Sequence, residues 1–226
     1  VPVITIQDLP GPDDATIDPT VGAHVFTSAV NQVINLLDHL SFDSKHEIWF
    51  EMVNEPSWTD WWPTGTCSYK VRAHEVARQS VQMAQTIRSK NYPGLKIAFV
   101  ALPAYSDFDS TPGPSGNCVG KRGTIGLPSS DFLAEMKAET PMLFSTPLFD
   151  GWNAHTYPSW IYGLCTQPSC PAAKADPALN YYRRDMASVG LPADFPILIT
   201  ESGHDGTNSS LTGAVAADYF ATESSP

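Results

Sequence analysis

Apolar positions alternate along this chain between two patterns. Short continuous runs occur at Val1 to Ile6 (VPVITI), Ile48 to Val53 (IWFEMV), Leu95 to Leu102 (LKIAFVAL), Leu148 to Ala154 (LFDGWNA) and Pro196 to Thr200 (PILIT). Runs of this kind, apolar on both faces, predict buried strands. Between them the spacing turns helical. Phe26, Ala29, Val30, Val33, Leu37 and Leu40 mark one helix; Ala73, Val76, Ala77, Ala84 and Ile87 mark a second, stopped by NYPG. A shorter helix is expected over Phe132 to Lys137, another over Ala178 to Val189, and a last one over Leu211 to Ala221.

Strand followed by helix, repeated five times, calls for an α/β fold with a parallel sheet covered by helices. No Gly-rich phosphate loop follows any of the strands, which removes the main signal for a nucleotide-binding open sheet. The loops after strands are long and rich in Trp, Pro and Cys, whereas those before strands are short. A (β/α)8 TIM barrel builds its active face that way, at the C-terminal ends of its strands. A closed barrel needs eight strands and five β/α units already use the 226 residues. The reading is therefore a single TIM-barrel domain over 1–226, incomplete in this chain. The start at Val1 rather than Met points the same way, to a processed chain or part of one.

Composition narrows the partners. Thirteen Lys and Arg against 24 Asp and Glu give a formal charge of −11, with no cationic block. Nucleic acid and anionic membrane are held through clustered cations, so neither is expected. No apolar run is long enough for a membrane span. Four cysteines in loops suggest an oxidising compartment. Cys165 and Cys170 flank the short TQPS loop, which a disulfide could close, and Cys67 and Cys118 could form a second bridge. Asn208 opens an N-glycosylation sequon, NSS. Together these predict a secreted glycoprotein.

Three predicted strands end in polar groups. The Ile48 strand leads into Asn54 and Glu55, the Leu148 strand into His155 and Tyr157, and the PILIT strand into Glu201. Paired carboxylates at neighbouring strand ends suit glycosidic cleavage: one donates a proton to the leaving oxygen, and the other attacks or stabilises the anomeric carbon. Each also has a plainer reading. Either carboxylate could be a cap or a surface ion pair, His155 could bond backbone, and Tyr157 could be a packing aromatic. His204 and Asp205 lie too close to Glu201 in sequence for good metal geometry, and no metal is expected. Trp58, Trp61, Trp62 and Trp160 sit in the loops beyond these strand ends. Such rings either wall a sugar subsite or pack the loops.

WFEMVNEP, NAHTYP and ILITESG, in that order at three strand ends, resemble the strand-4, strand-6 and strand-7 signatures of clan A glycoside hydrolases. These are (β/α)8 retaining enzymes such as the family 5 cellulases and mannanases. The resemblance implies an O-glycosyl hydrolase acting on a β-linked polysaccharide or oligosaccharide, without cofactor. It casts Glu55 as general acid/base, Glu201 as nucleophile and Asn54 as the ligand of the hydroxyl beside the anomeric carbon. It also gives Tyr157 a hydrogen bond to the nucleophile, and His155 an orienting or sugar-binding role. Retention implies carboxylates about 5 Å apart. The match covers strands 3 to 7, leaving strands 1, 2 and 8 without counterpart, and QDLPG lacks the His that many family 5 members carry in that loop. Other chain segments or subunits would then complete the barrel. The alternative is a non-catalytic glycan-binding or structural barrel in an extracellular assembly.

Overall fold

The computed structural model describes residues 3–5, 22–52, 68–102, 105–106, 111–112, 118–119, 127–145, 148–156 and 178–202. The expected Leu211 to Ala221 helix lies outside them. The ordered elements begin β1 (Val3–Thr5), α1 (Gly22–Asp38), β2 (Ile48–Glu51), α2 (Tyr69–Lys90) and β3 (Leu95–Ala98). The segment after β3, expected as a plain loop, carries four two-residue strands: β4 (Tyr105–Ser106), β5 (Thr111–Pro112), β6 (Cys118–Val119) and β7 (Leu127–Pro128). These pair antiparallel, β4 with β7 and β5 with β6. Then come α3 (Ser129–Glu139), α4 (Met142–Ser145), β8 (Trp152–Thr156), α5 (Ala178–Val189) and β9 (Ile197–Ser202).

β1, β2 and β3 form a parallel sheet, and β8 and β9 form a parallel pair. A parallel bridge between Ala98 and Gly151 joins the two sets. Asp150 makes that joint. Its N–H donates to the Ile97 carbonyl at 2.7 Å, and the Ile97 N–H donates to its Oδ2 at 2.8 Å. Arg88 donates to the same Oδ2 at 2.7 Å, so the carboxylate takes the place of a ladder carbonyl and has its charge balanced. The Phe99 N–H then donates to the Gly151 carbonyl at 2.8 Å. The five longer strands thus lie side by side in chain order. A doubly wound sheet reverses its strand order at one point; no reversal occurs among the described strands. The ladder is open, and the described residues form no closed barrel.

Periodicity explains the helices. Val30, Val33, Ile34 and Leu37 form the buried stripe of α1, and Ala73, Val76, Ala77, Met83, Ala84 and Ile87 that of α2. α2 stops at Asn91, which takes left-handed angles (φ 53°, ψ 46°), with Arg88 and Lys90 on the last turn where cations suit the helix dipole. α5 stops in a Schellman turn. Gly190 at φ +92° donates to the Ala187 carbonyl, and Leu191 to that of Met186. Gly94 is required more strictly. It sits at φ +77°, and a Cβ there would overlap the backbone carbonyls of Asp43 and His46. Its own carbonyl accepts from the Ile48 N–H at 3.1 Å, so this close crossing starts β2 beside β3.

The β8 expectation needs correction. The apolar run begins at Leu148, but the strand begins at Trp152. Leu148 and Phe149 are buried as core side chains instead, and Phe149 stacks on Phe99 with centroids 4.8 Å apart. Asp150 and Gly151 are consumed by the bridge to β3. Elsewhere β9 runs to Ser202, two residues beyond the expected end, while β2 and β3 stop at Glu51 and Ala98.

A clamp joins two helix ends. The Tyr92 hydroxyl donates to Asp38 Oδ1 at 2.6 Å, and Lys90 reaches Asp38 Oδ2 at 3.1 Å, tying the ends of α1 and α2. Desolvation, then the bond to the Asp38 carboxylate, push the Tyr92 phenol up to about 12. A raised folded-state pKa favours the protonated form. The stabilisation is therefore complete below the ordinary phenol value near 10 and is lost as pH rises towards 12. Alkaline ultraviolet titration of the folded protein should contain one phenolate component near pH 12 that Tyr92→Phe removes. A missing component that titrates near 10 would contradict the clamp.

Candidate active site

Glu51 closes β2, His155 lies on β8, and Glu201 lies near the end of β9. All three are at the C-terminal ends of parallel strands, and they form one chain of contacts. Glu51 Oε1 lies 3.5 Å from His155 Nε2, and Glu201 Oε2 lies 3.6 Å from His155 Nδ1. The Glu51 side chain is 0% exposed and that of His155 1%, whereas that of Glu201 is 30% exposed. The chain therefore runs from the core to the surface, and Glu201 is its outward end. Each of the three residues has further interactions beyond these.

A β-bulge builds this cluster. In the β8–β9 ladder Ala154 pairs with Ile199, but His155 pairs with Glu201, so Thr200 is an extra residue on β9. Side chains alternate between faces along a strand, and one inserted residue resets the alternation. Without it, Thr200 and Glu201 would point to opposite faces of the sheet. With it, both address His155.

Thr200 also determines where the imidazole proton sits. Its hydroxyl donates to Asn153 Oδ1 at 2.6 Å, which leaves the oxygen to accept from His155 Nε2 at 3.1 Å. Nε2 therefore carries hydrogen, directed at Thr200, and Glu51 Oε1 lies 3.5 Å from the same nitrogen. The buried Tyr182 hydroxyl of α5 donates to the His155 carbonyl at 2.5 Å and fixes the backbone behind the ring. Glu51 and His155 are buried against one another.

Of the residues expected at this site, the structure brings together His155 and Glu201. Asn54, Glu55, Tyr157, Trp58, Trp61, Trp62, Trp160, His204 and Asp205 lie outside the described residues. So do Cys67, Cys165, Cys170 and Asn208, while Cys118 is described only as backbone in β6. Glu51, Thr200, Asn153 and Tyr182 went unnoticed in the sequence. For Glu51 a signal existed: a charged residue inside the apolar run IWFEMV, where burial without a partner is costly. The described residues hold no cluster of three or more ligands suited to a metal ion, and no described helix is long and apolar enough to cross a membrane. A scan against protein-family models finds no match, and neither the comparison with curated proteins nor that with solved structures finds one.

Proposed function

We propose that the chain is the central part of a secreted retaining glycoside hydrolase of the clan A type, cleaving β-glycosidic bonds in a polysaccharide or oligosaccharide. One observation carries the reading. Glu201 stands at the solvent-facing end of a buried carboxylate–imidazole chain, at the C-terminal ends of parallel strands set in chain order. A carboxylate that is held from behind and open in front can attack a carbon centre.

On this reading Glu201 attacks the anomeric carbon and forms a glycosyl-enzyme, while Glu55 protonates the departing oxygen. Glu55 then takes a proton from the incoming water, and the sugar leaves with its original anomeric configuration. Glu55 follows Glu51 by four residues in sequence, at the end of the run that closes on NEP. Asn54 and Tyr157 serve the 2-hydroxyl and the nucleophile, and Trp58, Trp62 and Trp160 supply stacking surfaces for sugar rings. The fold is a (β/α)8 barrel whose remaining strands come from further segments or another subunit. The pairs Cys165–Cys170 and Cys67–Cys118, and a glycan on Asn208, suit the extracellular setting.

The test is hydrolysis of β-glucan, mannan, xylan and galactan, with the first-formed anomer read by proton NMR. One of the four should be cleaved, and the new reducing end should appear first as the β-anomer. An α-anomer first would overturn retention. Binding without hydrolysis of any glycan would favour a non-catalytic barrel.

A further inference from the structure

We propose that Glu51 is a positioning residue for this reaction: its buried carboxylate pairs with His155 as an imidazolium, and that cation holds the Glu201 carboxylate aimed at substrate. The inference rests on the reading of Glu201 as nucleophile. Glu51 is fully buried at the end of β2, so it acts on the mouth of the site only through what it touches.

The protons can be placed one at a time. Thr200 gives its hydrogen to Asn153 Oδ1, so His155 Nε2 donates to Thr200, with Glu51 Oε1 3.5 Å from that nitrogen. The other ring nitrogen, Nδ1, lies 3.6 Å from Glu201 Oε2. In a neutral ring with hydrogen on Nε2, Nδ1 would turn a lone pair towards a carboxylate, and the two would repel. A second proton on Nδ1 converts that repulsion into attraction, and it leaves one positive charge between two negative ones. Opposite charges at this range attract.

Among the described residues the ring is addressed by Glu51 from β2, Asn153 through Thr200 from β8, and Thr200 and Glu201 from β9. α5 contributes the Tyr182 hydroxyl, which is spent on the His155 carbonyl rather than on the ring. Both charged groups on that list are carboxylates. The order of burial gives the relay its direction. Glu51 and His155 are shut away from solvent, so their charges meet each other and Glu201 with little screening, while Glu201 alone reaches outward.

Nitrogen-15 NMR of the wild-type ring, assigned by loss of its signals in His155→Asn, reads the charge directly. Both His155 nitrogens should carry hydrogen at pH 7. In Glu51→Gln, which keeps the shape and drops the charge, Nδ1 should lose its proton at pH 7. On the cleaved glycan, kcat should fall about a hundredfold with KM little changed, the scale of a misplaced reacting group. Glu51→Asp should recover part of the loss. A neutral His155 in the wild type overturns the inference, and that measurement decides it even if Glu51→Gln fails to fold. A folded Glu51→Gln with unchanged kcat overturns it as well. The NMR reading needs no substrate, so an enzyme that cleaves no glycan would defeat the proposed function and leave the pairing of Glu51 with His155 to be judged on its own.

Discussion

Glu201→Gln is expected to fold as the wild type does and to lose turnover by on the order of 10⁵-fold or more, the scale on which loss of a covalent nucleophile is felt. The amide has almost the volume of the carboxylate, and the side chain is 30% exposed, so little packing is disturbed. The negative charge and the attacking oxygen are what it lacks. Initial rates on the cleaved glycan, with near-ultraviolet circular dichroism as the fold control, measure the loss. A second variant separates chemistry from shape. Glu201→Gly opens space at the end of β9 for a small anionic nucleophile such as azide. Added azide should restore turnover and yield a glycosyl azide of inverted configuration, since a single displacement replaces two. A folded Glu201→Gln with wild-type turnover would remove Glu201 from the mechanism. The substitution also strips His155 of one of its two carboxylates, so its nitrogen-15 signals should move as well.

Phe99→Ala should cost about 3–5 kcal/mol, the range for truncating a buried aromatic. Phe99 directly follows β3 and is fully buried. Its ring lies 4.7 Å from that of Trp152, 4.8 Å from that of Phe149 and 5.5 Å, edge-on, from that of Phe144. Three elements therefore meet on this one side chain: the exit of β3, the α4 region and the start of β8. Its N–H is one of the bonds that join the two parallel sets, so the cavity would open beside the joint itself. Domains are stable by only about 5–15 kcal/mol, so this loss is a large share of the total. At about 2–4 °C per kcal/mol for a chain of this size, the melting point should fall by roughly 6–20 °C. Differential scanning calorimetry checks it. Phe99→Leu keeps most of the volume and should lose far less. Equal losses in the two variants would mean that the ring is not the keystone of this cluster.

Strands and helices were legible because their signals are local. The stripe Val30, Val33 and Leu37 marked a helix face, and PILIT marked a strand, β9, although that strand is only half-buried and Ile199 is 45% exposed where a buried strand was expected. Leu148 to Gly151 misled for a reason that is not local. An apolar run becomes a strand only where a neighbouring backbone offers partners, and here the aromatic cluster took Phe149 while the Ile97 backbone took Asp150. The two-residue pairs after β3 were invisible on the same ground. Two residues carry no periodicity, and their pairing depends on where the chain returns.

His155 and Glu201 could be named in advance because polar residues at the ends of apolar runs stand out, and because their motifs resemble those of clan A enzymes. Their joining could not. Glu51 passed unnoticed inside an apolar run until β8 brought His155 to within 3.5 Å of it. Thr200 read as the last residue of PILIT until the ladder made it a bulge. Composition and periodicity alone determined an acidic chain of alternating strands and helices, with carboxylates where strands end. Only the tertiary structure decided which of them meet. A buried charge is stabilised by a partner from a distant strand, and a single inserted residue selects the face on which that partner arrives.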